Sequence, residues 1–527
     1  KPAHPNMENQ IPVIDLFAGP GGLGEGFSSF AHQKKSPFKI VLSVEKDPFA
    51  IETLRLRSFY RQFRYSGNAV CDEYYSYLRG ELRKEELFRK YKNEAEAASS
   101  EVVKMELGKD NREIHDLIEK KLKGAEEWIL IGGPPCQAFS LAGRSRMARE
   151  WKSNPASKEK DERHFLYREY LKIIAKFKPT AFVMENVKGI LSATVSSTNL
   201  FVKIQEDLKN PGNAVKNEPL TCRQNEYNLY SFTEGIKLQK SFIEENDISP
   251  KDFIVSSEDF GIPQKRHRVF MLGVRANIKI KLEPLKKQSK QRTLEEAISA
   301  LPKLRSRVSK KIDSADEWER SIQGIKNKKL NKIPEDAELF GFISECLGKL
   351  EYNQPTGKAF VKAENENKKS FNDRWFHDKK LGGYCNHETR GHIAEDLQRY
   401  FFAACFAEIH GISPKLVNFP KSLLPRHKNA ESHVFSDRFR VQLYNKPATT
   451  ITSHISKDGH YYIHPDPLQC RSLTVREAAR IQTFPDNYFF EGPRTSQYRQ
   501  VGNAVPPLLA RELAGKVYGI LSKMRDC

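Results

Sequence analysis

The run Trp128-Ile129-Leu130-Ile131-Gly132-Gly133-Pro134-Pro135-Cys136-Gln137-Ala138-Phe139-Ser140 decides how the rest of the chain is read. Four apolar residues closed by Gly-Gly are too short for a helix and read as a buried parallel strand. Pro134 and Pro135 stiffen the backbone beyond it, so the next side chain leaves the strand end in one fixed direction. That side chain is the thiol of Cys136. Ligands of open α/β sheets sit outside the carboxyl ends of the strands, where a rigidly delivered cysteine is placed to act as a nucleophile. Taken alone, the run suits a buried structural cysteine better; its neighbours along the chain change that.

Upstream, Pro12-Val13-Ile14-Asp15-Leu16-Phe17-Ala18-Gly19-Pro20-Gly21-Gly22-Leu23-Gly24 is a strand running into a glycine-rich turn and then a helix. Gly19, Gly21 and Gly24 match the dinucleotide pattern GxGxxG, which lets backbone approach a ligand at a helix N-terminus. The next strand, Ile40–Val44, ends in Glu45, an acceptor for ribose hydroxyls of a nicotinamide or an adenosyl cofactor alike. Residues 55–125, rich in Arg, Lys, Glu and Tyr, read as helices inserted between strand units. Downstream of Cys136, the basic stretch with Gly143, Arg144 and Arg146 reads as a solvent loop or as one that closes over a substrate and touches phosphates.

A further strand, Ala181–Met184, delivers Glu185, Asn186 and Val187 at its end, with Glu185 a candidate general acid beside the Cys136 thiol. Arg266 and Arg268 stand two residues apart after Pro263-Gln264-Lys265, so on a strand they share one face and suit an anion clamp. Between about 290 and 445 the strand–helix alternation is lost, which marks a separate smaller domain. Cys385–His392 has zinc-like residue types without a fourth ligand, and no metal is expected. Order returns with the strand-like Pro447–Thr452, the capping box Thr474–Glu477 and the loop Gly502-Asn503-Ala504-Val505. The last helix carries Leu509, Leu513, Val517 and Leu521 on one face.

Lys and Arg number 87 against 67 Asp and Glu in 527 residues, a formal net charge of +20 that points to a polyanionic partner. Eight cysteines without a CxxC pair are neither a disulfide framework nor a zinc ribbon, so a reducing, cytoplasmic setting is expected. No apolar run is long enough to span a bilayer and the start lacks a signal-peptide core.

Together, Asp15–Gly22, Gly133-Pro134-Pro135-Cys136-Gln137, Glu185-Asn186-Val187, Pro263–Arg268, Arg471–Pro485 and Gly502–Val505 resemble the DNA (cytosine-5)-methyltransferase family of bacterial restriction–modification type, motif by motif and in order. The resemblance implies an α/β fold: a Rossmann-like S-adenosylmethionine-dependent methyltransferase domain with a mixed, mostly parallel sheet, plus a smaller irregular target-recognition domain. Residues 7–290 would form the catalytic domain, 291–445 the recognition domain, and 446–527 a C-terminal segment of which 471–527 returns to complete the catalytic domain. S-adenosyl-L-methionine, leaving as S-adenosyl-L-homocysteine, would be bound by Phe17, Ala18, Gly19, Gly22, Leu23, Glu45, Lys46, Asp110, Pro135, Asn503 and Val505. Lys46 stands where relatives often carry an aromatic residue.

Cys136 would add to cytosine C6 while Glu185 engages N3, with Arg266 and Arg268 holding the base carbonyl and the thiolate region. Gln137, Ser140, Arg144, Arg146, Asn186, Gln264 and Thr450 would contact double-stranded DNA around a flipped-out cytosine. A monomer is expected, with a cognate restriction endonuclease as candidate partner. The rivals are a tRNA cytosine-5 methyltransferase, disfavoured by the long recognition region, and a non-catalytic DNA-binding regulator, disfavoured because Cys136 and Glu185 are both present. A nicotinamide oxidoreductase explains only the glycine turn, and an amino-methyltransferase would carry Asp/Asn-Pro-Pro-aromatic in place of Gly-Pro-Pro-Cys.

Overall fold

A computed structural model describes residues 10–134, 162–195, 198–216, 226–234, 249–278, 280, 282–328, 336–350, 354–363, 370–425 and 437–525. At its centre lies an eight-stranded sheet. Its strands are β1 (Ile11–Leu16), β2 (Phe38–Glu45), β3 (Val102–Lys104), β4 (Ile129–Gly132), β5 (Ala181–Val187), β6 (Tyr227–Ser231), β7 (Ile254–Ser256) and β8 (His267–Arg275). The order across the sheet is β3-β2-β1-β4-β5-β8-β6, with β7 paired to the start of β8. β1 to β5 pair in parallel, whereas β8 runs antiparallel to β5 and β6. The expected mixed, mostly parallel sheet is present. β4 and the first four residues of β5 are buried throughout, as strands covered on both faces must be.

The helices used below are α1 (Gly22–Ser29), α2 (Pro48–Tyr65), α3 (Lys92–Glu101), α4 (Asn111–Leu122), α5 (Glu162–Phe177), α6 (Ala394–His410), α7 (Val475–Ile481), α8 (Arg494–Asn503) and α9 (Pro507–Arg525). One face of the sheet is covered by α1 and α9. Leu23 and Phe27 meet Leu509, Leu513, Val517 and Leu521 over Val13, Ile131 and Val183, so the apolar face read in the last helix is its buried face. The opposite face is covered by α4 and α5, through Ile114, Ile118, Tyr170 and Ile174 over Ile14, Leu16, Leu130 and Met184. β1 feeds both cores because its side chains alternate between faces.

Residues 55–125 are not purely helical: α2 crosses from β2 toward β3, an edge strand of the central sheet that lies within that stretch. A pair of short helices, Asp72–Leu78 and Lys84–Lys90, stands between α2 and α3. The core of the variable region gathers Val308, Trp318 and Ile343 around Leu397, Tyr400 and Phe401 of α6, and extends through Val441 to Ile463 and Cys470. No helix among the described residues is long and apolar enough to cross a membrane.

The sheet is closed on one side by a close helix crossing. A Cβ added at Gly26 of α1 would stand 2.3 Å from the Cβ of Ala510 in α9. Gly26→Ala is expected to lower stability by about 1–3 kcal/mol through overpacking, although alanine is the better helix former. Denaturant unfolding of the two proteins measures this.

Candidate active site

β1 and β4 are neighbours at the point where the strand order reverses, and their ends bring the glycine turn and the Gly-Gly-Pro turn together. A Cβ at Gly132 would strike the Leu16 carbonyl oxygen at 2.1 Å, so only glycine permits this approach. The turn itself is tight. Phe17, Gly19 and Gly21 all have positive φ, and the Gly21 amide donates to the Ala18 carbonyl at 2.9 Å. Gly19 has open space beside it, whereas a Cβ at Gly22 would meet the Val505 carbonyl oxygen at 2.1 Å. Gly22 therefore serves the packing of the Asn503–Val505 loop against the turn.

Glu45 closes the next side. One carboxylate oxygen accepts from the Gly19 amide at 2.8 Å, and the other from the amides of Lys46 and Asp47 at 2.8 and 2.9 Å. Three of a carboxylate's roughly four acceptor positions are thus used to hold the strand ends together. Lys46 pairs with Glu106 at 3.0 Å, just beyond β3. Asp110, expected near a cofactor, accepts from the Glu106 amide at 2.7 Å and so shapes the turn before α4. Glu106, just past β3, was not singled out in the sequence. Its signal was the pair Val102-Val103, hidden among helical residues.

Glu185 lies at the end of β5 with its carboxylate against Gly133: a Cβ there would come within 3.0 Å of a carboxylate oxygen. Its partner is the Nε of Arg268 at 3.1 Å, and both side chains are largely covered. The pair forms because β5 and β8 are antiparallel with Arg268 opposite Val187, which puts Glu185 and Arg268 on one face. Asn186 points elsewhere. It is buried, with Nδ2 donating to the Pro134 carbonyl at 3.3 Å, so it braces the turn that leads to Cys136 and presents no free face to DNA.

Arg266 lies near Arg268 and Glu185, whose charges both act on it, but it does not offer a free guanidinium. The chain breaks between Lys265 and His267, where the Arg266 amide donates back to the Gln264 carbonyl at 3.0 Å. Arg266 is instead buried, its Nη1 donating to the carbonyls of Ile451 at 2.8 Å and Gly502 at 3.3 Å. Gln264 is likewise buried. Its oxygen accepts from the Ile451 amide, and its nitrogen donates to the Ile481 carbonyl and to Gln482. Thr450 donates its hydroxyl to the Lys265 carbonyl. Gln482, unremarked in the sequence, donates onward to the carbonyls of Val501 at 2.7 Å and Ala504 at 3.3 Å.

The segments holding Gln264–Arg266, Thr450–Ile451 and Gly502–Val505 are thus one bonded wall beside the Glu185–Arg268 pair. Asn503 is exposed on it and Val505 is buried in it. Phe17, Ala18 and Leu23 border the turn opposite. Pro135, Cys136, Gln137, Ser140, Arg144 and Arg146 lie outside the described residues. In the zinc-like stretch, His387 is held by Thr474 and the Pro302 carbonyl, each at 3.0 Å, and burial pushes it down to about 4.

A sheet of this order, with a glycine turn and a ribose-type acid at its switch point, defines a methyltransferase fold. A prophage-encoded chain of E. coli, described as a DNA modification methyltransferase, shares it. Its crystal structure superposes with a TM-score of 0.54 at 18% identity, covering 97% of this chain and 100% of the other. The profile of the C-5 cytosine-specific DNA methylase family matches residues 89–228 and 243–519. The type II methyltransferase M.Bpa9945I of Bacillus paralicheniformis is 33% identical over 97% of this chain and 99% of its own length. M.DdeI of Desulfomicrobium norvegicum is 27% identical over 96% and 88%. The chain belongs to the C-5 cytosine-specific DNA methylase family and is an enzyme of that class.

Two expectations follow from the geometry. Asp15, beneath the glycine turn, is buried with only the Gly24 amide directed at its carboxylate, and burial pushes its carboxyl up to about 8. The folded chain keeps this proton between about pH 4 and 8 while the unfolded chain releases it, so folding loses up to about 1.4 kcal/mol per pH unit across that window. Asp15→Asn should raise the melting temperature by an amount near zero at pH 4 that grows toward pH 8, as calorimetry would record. Arg266→Met should lower stability by about 2–3 kcal/mol, since it removes charge-assisted bonds to buried carbonyls. Arg268→Met, which leaves the largely covered Glu185 carboxylate unpaired, should cost about 1–3 kcal/mol of stability and, beyond that, most of the methyl transfer. Thermal melts and turnover measured on both variants separate these roles.

Proposed function

We propose that this chain is the modification enzyme of a type II restriction–modification pair, methylating C5 of a flipped-out cytosine within a specific sequence of double-stranded DNA. The observation that carries the site assignment is the Glu185–Arg268 pair, seated against Gly133 three residues before Cys136. The cofactor seat is supported by the glycine turn with its open side at Gly19 and by Glu45, which keeps about one acceptor position for a ribose hydroxyl. Phe17, Ala18, Leu23 and Val505 line that seat, Asn503 borders it, and Lys46 with Glu106 bounds its far end. When bound, S-adenosylmethionine supplies an electrophilic methyl group on its sulfonium.

The residues of the chain prepare the base. Cytosine C5 is a poor nucleophile until the Cys136 thiolate adds at C6, the displaced electron pair moving to N3 as Glu185 provides its proton. Arg268 sits beside Glu185 where it holds the base carbonyl and favours the negative charge that develops there. Activated in this way, C5 would displace the thioether S-adenosylhomocysteine from the methyl group; loss of the C5 proton, return of the N3 proton to Glu185 and departure of Cys136 as thiolate restore the ring. The reacting carbons lie inside a duplex stack, so the base must swing out at a cost of a few kcal/mol. DNA contacts made by the basic surface and by the variable region offset this cost. Arg266, Gln264 and Asn186 serve by fixing the walls, and Thr450 borders the same opening.

Transfer of labelled methyl to unmethylated mixed-sequence duplex DNA tests this reading. The label should appear on cytosine C5, vanish in Cys136→Ser and fall by about 10²–10⁴-fold in Glu185→Gln. Transfer to tRNA and not to DNA would replace the substrate. Transfer that survives Cys136→Ser would overturn the mechanism.

A further inference from the structure

The glycine turn and the variable region are far apart in sequence, yet one continuous buried polar chain joins them. Glu25, in the first turn of α1, is buried and accepts from Nε of Arg57 in α2 at 2.9 Å and from its Nη2 as well. Arg57 lies between the rings of Tyr60 and Tyr488, and its remaining arm, Nη1, donates to Oδ1 of Asn487 at 3.0 Å. Nδ2 of Asn487 donates to Oδ2 of Asp378 at 2.7 Å. Asp378 belongs to the variable region, and the same oxygen accepts from the hydroxyl of Tyr75 in the inserted helix Asp72–Leu78 at 2.9 Å. The neighbour of Asn487 faces the other way: the hydroxyl of Tyr488 donates to the Pro20 carbonyl of the glycine turn.

Consecutive residues of one short turn thus grip both ends. The turn is itself fixed. The Tyr488 amide donates to the Pro485 carbonyl, and the Arg476 guanidinium is spread over the carbonyls of Cys385, Pro485 and Tyr488. Asn386 exchanges two hydrogen bonds with Phe490, so the strand Gly383–Glu388 of the variable region is carried on the same turn. Buried charges such as Glu25 and Arg57 contribute little net stability compared with an apolar replacement; what they supply is a fixed register between elements. With this turn rigid, neither the glycine turn nor the 373–388 segment can shift without straining the other.

We propose that Asn487 and Tyr488 are positioning residues that couple occupancy of the glycine turn to the order of the variable region at 373–388. The enzyme's DNA-reading surface is then set in place by its methyl donor. This rests on the reading of the glycine turn as the cofactor seat. The segment has an alternative state, its local opening, whose frequency amide hydrogen exchange reports.

The test is hydrogen exchange on the full chain with and without S-adenosylhomocysteine, in the absence of DNA. Exchange should slow at 17–27 and also, by about 5-fold or more, at 373–388. Tyr488→Phe removes only the hydroxyl bonded to Pro20. It should keep the slowing at 17–27 and lose it at 373–388, as should Asp378→Ala from the opposite end. Slowing at 17–27 without any at 373–388 in the unaltered chain would overturn the coupling while leaving the cofactor seat intact. No slowing at 17–27 would overturn both. Distal slowing that persists in both variants would assign the coupling to other contacts and refute the role of this turn.

Discussion

Backbone meets backbone at the centre of this enzyme, and nearly everything around the site depends on the missing side chains that allow it. Gly132 lies on the carbonyl of Leu16, Gly133 on Glu185, and Gly22 on the carbonyl of Val505. Each contact leaves no room for a methyl group, and each joins a different pair of segments: β1 to β4, β4 to β5, and α1 to the loop before α9. The site is therefore a junction of strand ends brought closer than ordinary side chains permit. Functional groups need not reach far across it, and Glu185 is held where the turn leading to Cys136 begins.

Such a junction must also be held from outside, and the C-terminal segment does this with buried arginines that bond mainly to carbonyls. Arg476 spreads its fork over three backbone oxygens, Arg266 reaches two, and Arg480 grips Asp486 with both arms. A planar guanidinium can satisfy several acceptors at fixed angles, which a lysine ammonium cannot. These residues knit the 473–504 segment to the variable region and to the central sheet. The variable region and the C-terminal segment consequently meet along a seam, with Leu294, Tyr384, Ala448, Phe484 and Val501 in a shared core.

How far the sequence could be read depended on the range of the interactions involved. The runs of β4 and β5, the capping box of Thr474 and Glu477, and the apolar face of α9 are local patterns, and each appears where its period or spacing put it. β3 was lost because three residues between helices give no period to detect. The bonds Arg266 makes to the carbonyls of Ile451 and Gly502 could not be read locally, because those partners lie far along the chain. Asn186 and Gln264 look like site groups by residue type, but their amides are spent on internal carbonyls and amides. Gln482, Asn487 and Tyr488 were invisible because their partners, from Pro20 to Asp378, are distant in sequence.

The packing of α9 on α1 also bears on how the protein is made. The ribosome delivers the glycine turn and its helix long before the helix that buries their apolar side. Until α9 emerges, Leu23 and Phe27 lack their cover, and Gly22 lacks the Val505 backbone against which it is shaped. A nascent chain that stops short of α9 therefore leaves the glycine turn open on that side, however much of the central sheet has been made.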